Sequence, residues 1–354
     1  MAITASSAVA GNGAAGGLYT LTNGAGGNAV LVFDRGADGT ISPAGSFATG
    51  GLGTGGGLGS QGALVLSGNG KWLYAVNAGS NEISAFAVRK DGLALVSKVG
   101  STGVTPISLT VEHDLLYVLN AGDGTNAGNI AGFSVGPHGE LSALAGSSRP
   151  LSAASVGPAQ IQFSPNGRVL VVTEKGTNSI DTYTVGQDGR PSGPNVQASA
   201  GATPFGFDFD QRGHLIVSDA FGGAPGASAL SSYSLNVGGA LSTITPLAPD
   251  GQTAACWVVT TKNGRYAYTT NTGSANVSSY TIDHDGSLSL LSAVAGATGA
   301  GPIDAALARN SRYLYTVDSG AHAISAFAVQ GDGSLAPIVG AGGLPAGAVG
   351  LAAQ

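Results

Sequence analysis

The chain has 354 residues, of which 10% are charged and 60 are glycine, and its formal net charge is -6. This acidic balance lacks the basic surface that nucleic-acid binding requires, and no apolar run reaches the roughly 18 residues of a membrane-spanning helix. The single cysteine, Cys256, excludes an internal disulfide and any cysteine-ligated zinc or iron–sulfur site.

Residues 1–16 are rich in alanine, glycine and serine, and we predict a flexible tail there. The segment lacks the basic start and apolar core of an export signal. A secreted or periplasmic protein whose signal has been removed and a cytoplasmic protein both stay open as interpretations. The remaining residues, 17–354, are predicted to form one domain.

Residues 62–99 contain the pattern that recurs along the chain. Turn signals at residues 68–70, 77–81 and 91–92 separate four short runs rich in Val, Leu, Ile, Phe and Tyr. Runs of this length and composition predict a four-stranded antiparallel meander. Its strands, called A to D from first to last, are predicted at residues 63–66, 72–76, 83–88 and 93–99.

The B strand recurs seven times, and each copy ends in a polar residue. The terminal residues, spaced by 43 to 54 positions, are Asn23, Asn77, Asn120, Glu174, Asp219, Asn271 and Asp318. Repeats of this length predict an all-β, seven-bladed β-propeller with four-stranded antiparallel blades. Blade one lacks an A strand of its own, whereas residues 345–354 resemble an A strand that no B strand follows. We therefore predict that the C-terminal strand closes the ring.

The propeller geometry assigns residues to two faces. If A descends the central channel and B returns, the B–C loops and the D–A connections between blades share one face, here called the top face. Only Arg149, Lys175 and His322 are candidate cations there, because the other four histidines fall in bottom hairpins. The seven terminal residues are predicted to ring the top opening, where the four Asn are best explained as turn caps. Glu174 is a poor turn residue, although a solvated Glu174–Lys175 pair is an alternative.

Three further candidates, Gln160, Trp257 and Asp304, are predicted near the tops of A strands. Trp257 is expected to plug the channel, with stacking on a ring-shaped ligand as the alternative. Asp304 and Asp318 belong to one blade and could form an acid–base pair or bind calcium. Two separate carboxylates are favoured, so we predict no cofactor. Residues 51–56 match G-x-G-x-x-G but follow no βα unit, which predicts a flexible D–A connection.

Several repeated pieces resemble a known family. Residues 70–77, 83–88, 164–168 (SPNGR) and 285–289 (DGSLS) are similar to the seven-bladed lactonase family of bacterial 6-phosphogluconolactonase and fungal 3-carboxy-cis,cis-muconate lactonizing enzyme. The resemblance covers residues 17–354 and implies a small, cyclic, oxygen-rich substrate. The family's Pro-His-x-His stretch is absent, since Gly157 and Ala159 stand where its histidines would be. The blade unit also resembles the YVTN repeats of surface-layer proteins.

Two functions follow from this sequence. The first is lactone hydrolysis or formation at the top face by a monomer, with Glu174 or Asp304 activating water and Arg149 polarising the carbonyl. The second is a non-catalytic propeller that binds a ligand or a protein through its top loops. The enzyme is favoured, and the predicted substrate-binding residues are Gln160, Lys175, Asp219, Trp257, Asn271, Asp318 and His322.

Overall fold

The structure is a computed structural model that describes residues 14–354. Its strands form seven antiparallel sheets, and each sheet has the order A, B, C, D. The A strands of blades one to seven are Val349–Ala353, Leu64–Leu66, Pro106–Glu112, Pro158–Phe163, Pro204–Phe209, Ala255–Thr260 and Pro302–Leu307. The B strands are Gly16–Leu21, Trp72–Asn77, Leu115–Asn120, Val169–Glu174, His214–Asp219, Tyr266–Asn271 and Tyr313–Asp318.

The outer two strands complete each blade. The C strands are Ala29–Arg35, Glu82–Arg89, Asn129–Val135, Ser179–Val185, Ala229–Leu235, Asn276–Ile282 and Ala323–Val329. The D strands are Ile41–Ala48, Gly92–Gly100, Leu141–Ala143 with Arg149–Pro150, Pro191–Ala198, Leu241–Pro249, Leu288–Ala297 and Leu335–Gly342. A 3₁₀ turn at Phe221–Gly223 follows the B strand of blade five. The predicted seven-bladed fold is confirmed.

The C-terminal strand closes the ring as predicted. Val349–Ala353 pairs antiparallel with Gly16–Leu21, and this pairing makes it the inner strand of blade one. Closure gives the backbone of Gly16–Leu21 a partner on both sides and removes a free sheet edge. Of the predicted tail, residues 1–13 lie outside the described residues, and Gly16 already belongs to the B strand. Within residues 14–354, no helix has the length and apolarity needed to cross a membrane.

The core lies between neighbouring blades. The B strands are almost wholly buried because each blade is covered on both faces, whereas the D strands are mostly half-buried or exposed. A buried ring recurs at the same place in every C strand, and burial of such a ring contributes about 2–3 kcal/mol. These rings belong to Phe33, Phe86, Phe133, Tyr183, Tyr233, Tyr280 and Phe327.

The strand register corrects one alignment made from the sequence. Leu18 pairs with the ring residue Phe33, as Leu73 pairs with Phe86 in blade two. Counting from these pairs, Thr22 and not Asn23 is the equivalent of Asn77. Asn23 instead lies in the following turn, with a positive φ of 47°. The one-residue shift was not visible in the sequence because Thr22 and Asn23 are both polar, so either could be taken as the end of the strand.

Candidate functional site

The polar residues that end the B strands lie at the top face but are not open to solvent. Six of them are 0% exposed, namely Asn77, Asn120, Glu174, Asp219, Asn271 and Asp318. Most bind the chain as it leaves the D strand of the preceding blade. Thr49 Oγ1 donates to Asn77 Oδ1 at 2.6 Å, and the amide of Gly299 donates to Asp318 Oδ2 at 2.9 Å. The turn caps predicted for the Asn residues are therefore wrong for Asn77 and Asn120, and most of the six side chains join adjacent blades.

Glu174 follows the same rule. Its Oε1 accepts from the amide of Ser152 at 3.0 Å, and its Oε2 accepts from Thr177 Oγ1 at 2.7 Å and from the Ser152 hydroxyl. Ser152 begins the connection that leaves blade three. Both carboxylate oxygens of Glu174 are thus occupied, and no Glu174–Lys175 ion pair forms among the described residues.

A second acid, Asp181, lies beside Glu174 and was missed in the sequence. It is fully buried, and neither of its carboxylate oxygens has a hydrogen-bond partner. Burial, and then the charge of Glu174, raise its pKa to about 8. Ser84, Ser231, Ser278 and Ser325 occupy this C-strand position in four other blades. Alignment of the C strands would have revealed the substitution.

The remaining top-face candidates are scattered. The Arg149 guanidinium donates to the carbonyls of Gly146 and Ser148 in the outer strand region of blade three, at 3.0 and 2.6 Å. His322 is exposed in a turn, with a φ of 53°. Asn271 donates to Asn276 and Ser278. The structure does not bring Arg149 or His322 into contact with Glu174.

Residues 58–62, called here the cross-channel segment, cover the top of the channel. Gln61 exchanges two hydrogen bonds with the backbone of Val258 in blade six, at 2.8 and 3.2 Å. The indole of Trp257 donates to the carbonyl of Ser60 at 3.0 Å, and Trp257 is only 4% exposed. The connection that contains residues 51–56 is therefore held at its C-terminal end. The residues that follow it extend from blade two to blade six and are hydrogen-bonded there.

Lys175 holds the same segment from blade four. Its amine donates to the carbonyl of Gly59 and lies 4.4 Å from the centre of the Phe205 ring. Burial lowers the pKa of this amine to about 8. Lys175 and Trp257 thus help to close the channel at its top end.

A cavity of about 290 Å³ lies in the channel below this segment. Gln160 and Asp304 both line it, so two predicted site residues share one space. Hydrogen bonds connect the polar side chains along the wall. Gln160 donates to Gln162 at 2.8 Å, and Gln162 donates to Asp208 at 3.0 Å. Residues at the lower ends of the A strands, such as Val111 and Gln162, are half-buried. The cavity is therefore accessible from the bottom of the propeller.

Asp304 is the most unusual residue of the cavity. It is 1% exposed, its Oδ1 accepts from the amide of Ala305 at 2.8 Å, and its Oδ2 has no hydrogen-bond partner in the part of the chain that the structure describes. Burial raises its pKa well above the usual range. The suggested pair with Asp318 does not form. Asp304 lies opposite Val317, and Asp318 bonds Gly299, Thr316 and Ser325 instead.

A family model described as "Lactonase, 7-bladed beta-propeller" matches residues 27–150, 138–220 and 224–340. The chain belongs to this lactonase family. The matched ranges extend over all seven blades, in agreement with the resemblance seen in the sequence.

Solved structures with the same fold include several proteins of low identity. A Lactobacillus plantarum protein has 17% identity and a TM-score of 0.75, with 95% of this chain and 98% of that chain covered. The Pseudomonas aeruginosa periplasmic gluconolactonase PpgL has 19% identity and a TM-score of 0.69, with coverages of 94% and 98%. A Bacteroides uniformis protein titled as a candidate 6-phosphogluconolactonase has 19% identity, a TM-score of 0.73 and the same coverages. At these identities the likeness establishes the fold alone. A search of curated proteins gives no match.

This lactonase-family chain differs from the family's histidine pattern at a place that the structure explains. Ala159 is buried, and its carbonyl accepts from the amide of Gln61 at 3.1 Å. Gly157 has a φ of 58°, and its carbonyl accepts from the amide of Lys175. The positions equivalent to the family histidines therefore support the cross-channel segment and the Lys175 loop. Within residues 14–354, no group of three or more His, Cys, Asp or Glu could hold a metal.

Proposed function

We propose that this lactonase-family propeller hydrolyses a small uncharged lactone inside the central channel, with Asp304 as the acid–base group and without a metal. The observation that carries the proposal is that Asp304 lines the 290 Å³ cavity and that its buried Oδ2 has no hydrogen-bond partner within residues 14–354. A buried carboxyl with a free oxygen and a raised pKa is a frequent property of catalytic acids and bases.

The other two catalytic candidates support the reaction less well. Both oxygens of Glu174 already accept hydrogen bonds, and Glu174 is not among the residues that line the cavity. The Arg149 guanidinium is engaged by local carbonyls. Reaction at either residue would first require these contacts to break.

Asp304 can serve both halves of lactone hydrolysis. As a carboxylate it accepts a proton from water while the water oxygen bonds to the ring carbonyl carbon. It then returns that proton to the ring oxygen as the ring C–O bond breaks. Thr110 also lines the cavity, and its hydroxyl accepts from the amide of Phe163 at 3.1 Å. We propose that this hydroxyl donates its own hydrogen to the developing oxyanion.

The cavity suits a small substrate without a negative charge. Its volume is close to the lower limit of about 300 Å³ for ligand pockets. Its lining includes Asp304 and no Lys or Arg. A phosphorylated lactone would place two or more negative charges near this carboxyl without a compensating cation. Sugar-type lactones with free hydroxyl groups match the amides of Gln160 and Gln162.

The test is hydrolysis of a panel of sugar lactones, aromatic-derived lactones and 6-phosphogluconolactone. We expect Asp304→Asn to lower kcat at least a hundredfold on the preferred lactone, because the amide cannot accept the proton. The control is Asp181→Asn, which neutralises another buried carboxyl outside the cavity and should leave kcat unchanged. Full activity of Asp304→Asn would contradict the assignment.

A second function is favoured by one specific observation. The positions of the family histidines, Gly157 and Ala159, carry backbone contacts to the Lys175 loop and to Gln61 instead of an acid or base. This favours a propeller that binds a ligand without turning it over. Failure of every lactone in the panel, together with measurable binding of one of them, would select this function.

A further inference from the structure

A groove of about 370 Å³ lies between blade one and the C–D hairpin of blade two, away from the channel. Tyr19, Val32 and Phe47 of blade one form one wall. The hairpin residues 89–92 form the other, and Asp34 also lines the space. The proposed reaction does not involve this groove.

Beside the groove, blade one has a glycine where the other blades have a larger side chain, and the Tyr19 phenol lies over it, 2.5 Å from a Cβ placed on Gly17. Gly17 pairs with the residue that follows the buried ring of Phe33. By the same register, the equivalent position holds a larger side chain in all six other blades. These residues are Trp72, Leu115, Val169, His214, Tyr266 and Tyr313.

In most blades that side chain packs beneath the C–D hairpin of the next blade. A Cβ placed on Gly139 would lie only 2.4 Å from the ring of Trp72, and one on Gly39 only 2.2 Å from the ring of Tyr313. Tyr313 also donates its hydroxyl to the carbonyl of Ala37 at 2.6 Å. In these two blades an aromatic ring therefore fills the space beneath the next hairpin. The hydroxyl of Tyr313 also donates a hydrogen bond to that hairpin.

The hairpin that covers the groove is also shorter than its counterparts. Val88 pairs with Leu93, which leaves four residues in the connection. The equivalent pair in blade seven is Val329 and Leu335, which leaves five. Phe47 packs against Gly92 and takes part of the space, but the remaining volume would still accommodate a six-membered ring.

The walls of the groove carry charges of both signs. Arg89 and Lys90 are exposed, and neither takes part in an ion pair among the described residues. Asp34 is half-buried and lines the groove, and within residues 14–354 it accepts no side-chain hydrogen bond. Burial raises the pKa of Tyr19 to about 12, so its phenol stays neutral at physiological pH. The groove thus offers aromatic walls, two cations at the hairpin and an acceptor at Asp34.

We propose that this groove binds a small hydroxylated aromatic acid. Phe47 fills the position beneath the hairpin that Trp72 or Tyr313 fills in another blade, and the ligand ring packs on Tyr19 and Phe47 in the groove volume beside them. The ligand's carboxylate pairs with Arg89 and Lys90, and its hydroxyl donates to Asp34. Asp91, in the hairpin turn, is the remaining charge at the rim. This site is separate from the channel, so its test is independent of the lactonase proposal.

The experiment titrates the full chain with 4-hydroxybenzoate and follows binding by calorimetry and ligand-observed NMR. We expect saturable binding that the double variant Arg89→Gln/Lys90→Gln weakens at least tenfold. Ala44→Leu, which adds volume at the groove wall, should weaken it similarly. Lys262→Gln, a charge change on another hairpin, and Asp304→Asn, in the channel, should bind as the unmodified chain does.

Absence of saturable binding would overturn the proposal, as would equal affinities for the unmodified chain and both groove variants. The charge variant keeps the test decisive if Ala44→Leu folds poorly, since Arg89 and Lys90 lie in an exposed hairpin. 4-Hydroxybenzyl alcohol has the ring and the phenol but no carboxylate. It should bind more weakly than the acid, and equal binding would count against the role of the two cations.

Discussion

Replacement of Asp181 by serine should stabilise the protein at neutral pH. Four other blades already have serine at this position, and in blade two Ser84 accepts a hydrogen bond of 2.8 Å from Asn77. Asp181 instead places a second carboxyl beside Glu174, in a site that gives neither of its oxygens a donor. A buried acid without a partner destabilises the folded state whenever it must ionise or hold a proton that the unfolded chain would release.

The size of the effect follows from the pKa of about 8 in the folded state and the usual value of 3.8. Because the folded pKa is the higher one, the folded state loses stability as pH rises from 3.8 and the loss is complete above 8. At pH 7 the difference of roughly three pH units corresponds to an upper limit of about 4 kcal/mol. We expect about half of this, since neighbouring groups relax and serine is smaller than aspartate.

The assay is urea denaturation followed by fluorescence at pH 4.5, 7 and 8.5. Asp181→Ser should raise the free energy of unfolding by about 2 kcal/mol at pH 7, by more at pH 8.5, and by little at pH 4.5. The reciprocal variant Ser84→Asp should lose stability with the same pH dependence. A stability gain that is equal at all three pH values would refute the electrostatic reasoning, as would no gain at all.

Two further predictions concern the ring and metals. Removal of residues 349–354 should deprive Gly16–Leu21 of its inner partner and expose a sheet edge, which should cause aggregation or a large drop in melting temperature; a truncated protein that melts like the full chain would contradict this. Addition of a chelator should leave the melting temperature and any lactonase rate unchanged, because most of the B-strand ends are buried in contacts between blades and no group of three or more His, Cys, Asp or Glu within residues 14–354 could hold a metal. A drop of many degrees would show that a bound metal stabilises the fold.

Local signals in the sequence were sufficient to predict the fold. Short Val-, Leu- and Tyr-rich runs and Asn-Gly or Asp-Gly turns specify each meander within a few residues, because both depend on neighbours in the chain. The blade unit at residues 62–99 illustrates this, with each predicted strand end within one residue of the observed one. Ring closure was also predictable, because an A strand without a B strand needs a partner.

The candidate site could be predicted only in part. Gln160 and Asp304 were found because they are unusual residues at a repeated position of the A strand. Alignment of the repeats gives the place of each residue along its strand. Glu174 and the other B-strand ends were placed at the correct face, but their contacts with the preceding blade were not predicted. Their burial depends on chain segments that leave the preceding blade, such as Thr49 and Ser152, and strand periodicity does not reveal which loop covers them.

The sequence by itself determined the number of blades, the closing strand and the two faces, since these follow from contacts between neighbouring strands. The tertiary structure alone decided that the cross-channel segment closes the top, that Asp181 lies against Glu174, and that a groove lies between blade one and the hairpin of blade two. Each of these features depends on contacts between different blades. Such contacts are set by how seven similar sheets pack in a ring, and the local pattern of any one sheet is compatible with several arrangements of its neighbours.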